Sequence, residues 1–278
     1  MRRLFVLLQY LLPQRLLTSA AGALARNEAM AGLLIRLFIS RYQVDMNEAL
    51  DPDPASYRSF NEFFTRHLKA GARPLAKEED AVLCPADGAL SQFGAIGKTL
   101  VQAKGVEFST AALLGANEKL ARELQGGRFM TIYLSPRDYH RVHMPLVGKL
   151  SRTRYIPGKL FSVNEASTDS IPGLFSRNER LVCEFMWERG HFAVVMVGAM
   201  IVAGIRTIWD SPGARQTLEQ CFTGKQPILA AGAEMGRFEL GSTVILLFPP
   251  GTMEFEPGLA PGDRLEMGRK IGRLLPKV

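Results

Sequence analysis

The chain has 278 residues, 47% of them hydrophobic, so it can bury one large core or a core with an appendage. A net charge of +7, with a pI near 9.5, calls for an anionic partner: nucleic acid, an anionic membrane surface or an acidic substrate. The three cysteines, Cys84, Cys183 and Cys221, are odd in number, far apart and form no Cys-x-x-Cys, which argues against a disulfide framework or a zinc site and for a reducing, cytosolic setting.

Met1 to Pro13 opens with two arginines and an apolar run, as a signal peptide does. The run is short, Pro13-Gln14-Arg15 interrupts it, and no small-residue cleavage site follows directly. It also falls far below the roughly 20 apolar residues of a membrane span. From Gln14 to Tyr42 the pattern is helical and amphipathic. Leu16, Leu17, Leu24, Leu33, Leu34, Leu37 and Phe38 are interleaved with Arg15, Arg26, Arg36 and Arg41. Six arginines and one acid, Glu28, lie between Met1 and Arg41. Such a segment suits the surface of an anionic bilayer. It equally fits a helical layer packed on a core, or a dimer contact.

Asp51-Pro52-Asp53-Pro54 marks a boundary. It divides an amphipathic helical, membrane-association region (1–55) from a β-rich catalytic domain (56–278). Ser59 with Glu62 three residues on forms a capping box, and Phe60, Phe63 and Phe64 share one helical face. A short helix therefore docks on the core here, with His67 structural. After about residue 80 the texture changes to short β-rich runs broken by Gly and Pro. Strands are expected at 129–134, 180–187, 192–197 and 200–208. The apolar stretch from Phe192 to Ile205 contains Gly198 and Gly204 and reads as two buried strands, not a membrane helix. The expected class is α+β: a helical N-terminal, membrane-facing layer followed by a mainly antiparallel β domain.

Four segments could carry chemistry. Asp87, in Cys84-Pro85-Ala86-Asp87-Gly88, reads by itself as a turn residue. His140 and His143 sit just after a strand, in a loop stiffened by Pro136 and Pro145. His-x-x-His suits a metal, but no third ligand accompanies the pair, so no metal site is expected and acid/base work is the more natural reading. The loops Lys159 to Asn164 and Leu174 to Arg180 read as pocket linings or as surface turns. Finally, Leu240-Gly241-Ser242-Thr243 precedes an apolar strand, Val244 to Phe248. By itself this Gly-Ser step reads as a turn. It is also the arrangement that self-cleavage needs. The serine oxygen can attack the unhindered Gly241 carbonyl and convert the amide to an ester. Elimination and hydrolysis would then leave a pyruvoyl group at residue 242.

Together, Pro85-Ala86-Asp87-Gly88, Tyr133 through His143, Phe175-Ser176-Arg177-Asn178-Glu179-Arg180 and Gly236 through Thr243 closely resemble phosphatidylserine decarboxylase of the bacterial membrane-associated type. The resemblance runs in order from about Ser59 to Phe248, and the N-terminal region is similar in character. One departure is Ala231-Gly232-Ala233-Glu234, which lacks a lysine before the glycine.

The resemblance implies a self-processing triad of Asp87, His143 and Ser242. His143 would act as general base and Asp87 would orient it. The cut falls between Gly241 and Ser242, giving a β chain (1–241) and an α chain (242–278) that stay together. The cofactor it implies is the pyruvoyl group derived from Ser242, which condenses with the serine amine of the lipid as a Schiff base. His140 is implied as the acid/base residue of decarboxylation. The implied product is phosphatidylethanolamine, and the implied partner is phosphatidylserine in an anionic membrane. A homodimer of processed units, peripheral on the cytoplasmic side of the cell membrane, is expected. No nucleic acid is expected, because no module interleaves basic with aromatic residues. The alternative is a serine hydrolase or lipase using Asp87, His143 and Ser242 in an intact chain. The G-x-S-x-G elbow of such enzymes is absent around Ser242.

Overall fold

The computed structural model describes residues 2–103, 105–200, 204–209, 218–222, 224 and 226–277. Three helices come first: α1 (Arg2–Leu11), α2 (Gln14–Ala25) and α3 (Glu28–Tyr42). The helical pattern from Gln14 to Tyr42 is thus broken in two. The break lies at Asn27, whose side chain caps α3 by accepting the Met30 N–H at 3.2 Å. A fourth helix, α4 (Phe60–Phe64), is shorter than its apolar pattern suggests. Ser59 Oγ accepts the Glu62 N–H, while the Glu62 carboxylate reaches back to the Arg58 N–H, one residue beyond the reciprocal partner of a capping box.

Helix α2 is turned inside out relative to a soluble helix. Its buried residues are Gln14, Thr18, Gly22 and Ala25, while Leu16, Leu17 and Leu24 are exposed. In α1, Gln9 is buried while Leu7, Leu8 and Leu11 are exposed. Polar hydrogen bonds fix this orientation. Gln9 donates to Ser167 Oγ at 3.0 Å and accepts the Ser162 N–H at 2.7 Å, and Gln14 accepts the Leu160 N–H at 2.8 Å. Helices α3 and α4 share a small core in which Phe38 meets Phe60, Phe63 and Phe64 edge-on or tilted. That core takes residues from both sides of position 55, including Ile35, Val44, Tyr57 and Phe60.

The rest is mainly antiparallel β. One sheet has nine strands. Along its main path the order is Leu218–Cys221, Gly148–Ile156, Arg180–Trp187, Gly190–Gly198, Ser242–Phe248, Arg128–Leu134, Gly88–Ala95 and Arg264–Leu265, with Ile228–Leu229 also on Gly148–Ile156. A three-stranded sheet joins Ala81–Leu83, Lys270–Leu274 and Met253–Phe255. Another joins Ile205–Thr207, Glu234–Phe238 and Arg141–His143. The strands expected at 129–134, 180–187 and 192–197 are present, the last extended to Gly190–Gly198. Of the expected strand at 200–208, Ile205–Thr207 is formed and residues 201–203 lie outside the described residues.

Ser242–Phe248 is buried at every position. Alternation divides its side chains between two cores: Val244, Leu246 and Phe248 enter one, Ile245 and Leu247 the other. The strand is central, hydrogen-bonded to Arg128–Leu134 on one side and Gly190–Gly198 on the other. Each of its large apolar side chains contributes roughly 1.5–3 kcal/mol by burial.

Candidate active site

Two successive left-handed residues precede Ser242: Leu240 at φ 94° and Gly241 at φ 35°. A Cβ built on Gly241 would meet nothing within 4 Å, so the backbone conformation, not packing, calls for glycine here. Leu240 has no such freedom. Its side chain packs against the small core of Tyr57, Phe60, Phe63 and Phe64, which holds the strained conformation in place. Ser242 itself is fully buried, opposite Leu134 on one side and Gly198 on the other, and its Oγ has no hydrogen-bond partner among the described residues. An orphaned buried hydroxyl beside a strained peptide is an unusual combination. By alternation Ser242 shares the face of Val244 and Leu246, whose core also contains Ala86, Val142 and Met144, the neighbours of Asp87 and His143.

His143 ends the strand Arg141–His143 and is buried. Its N–H donates to the Pro85 carbonyl at 2.7 Å, which ties the Asp87 turn to the histidine segment. Its ring Nδ1 lies 2.9 Å from the Gly232 carbonyl and Nε2 lies 3.2 Å from the Tyr139 hydroxyl. A carbonyl only accepts, so Nδ1 carries the proton and Nε2 accepts from Tyr139. Burial pushes the His143 pKa down, which keeps the ring neutral near pH 7. His140 is fully buried against the Phe64 ring, with 4.1 Å between ring centroids. Its Nδ1 donates to the Asp138 carbonyl at 2.7 Å, and Nε2 has no partner among the described residues. Burial pulls the His140 pKa to about 4.

Asp87 is buried and does not hydrogen-bond the His143 ring. Arg73 takes its carboxylate: Nε lies 3.0 Å from each oxygen and Nη2 lies 2.6 Å from Oδ2. The Met267 N–H adds a bond at 2.8 Å. Arg73 forks at the same time onto Glu48, at 3.0 and 2.7 Å. Burial would lower the Arg73 pKa, but its hydrogen bonds to Asp87 and Glu48 outweigh that and raise it. Gly88 follows because a Cβ there would lie 2.4 Å from the Tyr133 carbonyl oxygen.

Among the expected site residues, the structure thus ties Asp87 and His143 together through the Pro85 backbone and leaves their side chains with other partners. The sequence analysis missed Arg73, the Tyr139 hydroxyl and the Gly232 carbonyl. Tyr139 lies inside the histidine segment, but Arg73 sits in Ala72-Arg73-Pro74 with no periodic or motif signal. The Leu174 to Arg180 loop divides: exposed Arg177 lines a cavity of about 620 Å³ with Lys159, Phe161 and residues of α1 and α2, while Asn178 and Arg180 are buried. Asn178 donates to the Gly198 carbonyl at 2.9 Å, on the strand residue opposite Ser242, and buried Arg180 donates to Leu113 and Ala112 carbonyls. His67 is exposed, and burial holds the Cys84 thiol at about 12.

The N-terminal helices carry an outward apolar face. Of the twenty exposed large hydrophobic residues among those described, twelve lie between Phe5 and Leu37, so the apolar surface is concentrated there. No described helix is long and apolar enough to cross a membrane. An apolar cleft of about 370 Å³ runs between α2, α3 and α4, lined by Leu24, Leu34, Leu37, Phe38 and Phe60, and ends on Leu240.

Comparison with known proteins adds the context for this geometry. A family model described as phosphatidylserine decarboxylase matches residues 60–273, and one described as PSD matches residues 4–43. A phosphatidylserine decarboxylase proenzyme of Azoarcus sp. (strain BH72) is 50% identical over 279 aligned residues, 98% of this chain and 96% of the relative. One of Methylibium petroleiphilum is 50% identical over 276 residues, 97% of each chain. One of Polaromonas naphthalenivorans is 51% identical over 279 residues, 97% of this chain and 96% of the relative.

Proposed function

The chain belongs to the phosphatidylserine decarboxylase family, and we propose how its residues divide the work of that activity. It is a proenzyme that decarboxylates phosphatidylserine to phosphatidylethanolamine after cutting itself. The observation that carries the assignment of the cut is the strained Leu240-Gly241 pair leading into the buried, unpartnered Ser242 hydroxyl. These residues fit a pyruvoyl precursor: the serine is unencumbered, the preceding residue lacks a side chain, and the strand behind it is rigidly paired. A pyruvoyl group at residue 242 supplies a ketone that accepts an amine and withdraws electrons as carbon dioxide leaves.

In self-cleavage, Ser242 Oγ attacks the Gly241 carbonyl carbon while its proton passes to His143 Nε2. For this, His143 exchanges the Tyr139 hydroxyl for that of Ser242. The Gly232 carbonyl keeps Nδ1 protonated and the ring oriented. The Asp87 carboxylate favours the imidazolium across the gap, although burial outweighs it in the resting protein. His143 returns that proton to the Ser242 nitrogen as the amide bond between Gly241 and Ser242 breaks and the ester forms. Loss of the Ser242 Cα proton then expels the Gly241 carboxylate and cuts the chain, and water hydrolyses the resulting enamine with release of ammonia. His140 takes the second reaction. Its Nε2, unprotonated near pH 7, accepts the proton that the substrate ammonium must shed and returns it to the carbon that loses carbon dioxide. The Asp138 carbonyl fixes the ring for this.

The outward leucines and arginines of residues 1–55 support peripheral association with an anionic bilayer, with 56–278 as the catalytic part. The family resemblance supports a cytoplasmic-face location and a homodimer of processed units. Nothing favours the serine hydrolase reading.

The experiment is the intact mass of the purified protein under denaturing conditions, paired with release of labelled carbon dioxide from phosphatidylserine. Two species split at Gly241-Ser242, the small one blocked, are expected. Ser242→Ala should remain a single inactive chain. A divided Ser242→Ala chain would overturn the cleavage site.

A further inference from the structure

Beside the self-cleavage group lies a polar cavity of about 230 Å³, lined by residues that include Arg66, Arg73, Asp87, Arg137 and Tyr139. Most of its charges are paired. Arg73 holds Glu48 and Asp87, and Arg264 holds Asp138 at 2.9 Å. Asp45 is exposed and accepts the Asn47 N–H.

Arg66 is different. Its side chain is buried, with only 6% of the residue exposed. Its Nε is buried and has no hydrogen-bond partner among the described residues. The residue is nevertheless held firmly. Its N–H bonds the Phe63 carbonyl at 3.1 Å, and the guanidinium lies over the Phe63 ring at 5.4 Å. Stacking on the ring face leaves the in-plane N–H donors for an anion. A buried cation with no hydrogen-bonded counter-charge of its own is costly. Burial lowers its pKa more than the nearby Asp87 and Glu48 carboxylates, both already held by Arg73, raise it, so the site gains from a ligand that brings negative charge.

We infer that Arg66, with exposed Arg137 at the same cavity, binds the phosphodiester oxyanion of the substrate headgroup. This rests on the decarboxylase reading and extends it to the part of the lipid that does not react. The choice of phosphodiester over carboxylate follows from the chemistry. The carboxylate loses its charge as carbon dioxide, so a strong ion pair to it would stabilise the ground state and slow the reaction. The phosphodiester keeps its charge throughout, and a permanent cation suits it. The surroundings have the matching polarity. The polar cavity takes Asp87 and Tyr139 from the self-cleavage group, and the apolar cleft ends on Leu240, next to the cut. Tyr42 lines the apolar cleft and its chain neighbour Gln43 the polar cavity, which matches a ligand with apolar tails and an anionic head.

The test compares Arg66→Gln and Arg66→Lys with the unaltered protein. Both variants should divide into the same two fragments. With phosphatidylserine in mixed micelles, Arg66→Gln should raise KM about ten- to hundredfold, the effect of losing a charged hydrogen bond, with kcat changed much less. Arg66→Lys should recover part of the loss. Binding is measured separately in the uncut Ser242→Ala protein with glycerophosphoserine, by calorimetry. Affinity should fall by a similar factor when Arg66→Gln is added, and inorganic phosphate should compete poorly. Unchanged KM and unchanged glycerophosphoserine binding in Arg66→Gln would overturn the inference. So would inorganic phosphate binding as tightly as glycerophosphoserine in an Arg66-dependent way, which would mark a free-phosphate site. If the unaltered protein neither divides nor releases carbon dioxide, the decarboxylase reading itself fails, an outcome separate from indifference at Arg66.

Discussion

Arg73 and Asp87 meet as a two-pronged ion pair, Nε 3.0 Å from each carboxylate oxygen and Nη2 2.6 Å from Oδ2, with both side chains nearly sealed from solvent. The carboxylate assigned to the self-cleavage group is therefore held by a second charged residue in the uncut chain. Asp87→Asn should stop self-cleavage, because the replacement gives His143 no negative charge. Arg73→Met strands a buried carboxylate and should cost about 3–5 kcal/mol of stability. The double variant should regain much of that stability and remain uncut. Urea unfolding and denaturing mass analysis read the two effects. Cleavage of Asp87→Asn at the unaltered rate would remove Asp87 from the scheme.

Gly241→Ala isolates the backbone. At φ 35° an added methyl meets no neighbour, so the substitution acts through conformation alone. The left-handed region should cost about 1–2 kcal/mol, and relief of that cost should move the peptide away from the attacked geometry. Slower division of the precursor, followed by denaturing gel over time, is the expected result. An unchanged rate would show that the strained peptide plays no part.

His140→Ala separates the two reactions. The variant should still divide at Gly241-Ser242 and still carry a blocked small fragment, yet release no carbon dioxide. The Phe64 ring loses a neighbour, so some loss of stability accompanies it. A chain that fails to divide would mean that His140, whose Nε2 is free in the resting protein, serves Ser242 instead.

The buried histidines also fix a pH dependence. The His140 value falls from the ordinary 6.5 to about 4, with burial as the leading cause, and His143 moves in the same direction. Below pH 6.5 the unfolded chain binds protons that the folded chain refuses. Stability is therefore fully present above about 6.5 and is lost as pH falls toward 4, by about 3 kcal/mol for His140. Urea midpoints between pH 7 and 4 measure this. His140→Asn should flatten the slope, and an equally steep slope in that variant would assign it to other groups.

What could be read in the sequence was local. The Ser59 cap and the face made by Phe60, Phe63 and Phe64 repeat with the helical period, and both appear in the fold. The strand 180–187 is an apolar run between turn residues and forms with those bounds. The break at Asn27 was hidden because one capping residue interrupts an otherwise continuous pattern. The sequence leaves the orientation of α2 open, because a leucine stripe suits a bilayer surface as well as a core. Leucines normally mark the inward face, and only Gln9 and Gln14, bonded to segments some 150 residues away, show that the polar face is the inner one. Arg73 and Arg66 escaped for the same reason. A lone arginine acquires meaning from which carboxylate or cavity the fold brings beside it, and no short-range pattern encodes that.

The proposed cut falls immediately before a central strand, and the segment beyond it also contributes Met253–Phe255, Arg264–Leu265 and Lys270–Leu274 to two sheets. Before the cut, the molecule can unfold and recover as one polymer. Afterwards the same shape can be regained only by an encounter between two polymers, one of which begins inside the sheet. The severed molecule thus retains its architecture but no longer carries a route back to it, and its working lifetime is set by how slowly it comes apart. Any cellular correction of misfolded copies has to act on the precursor.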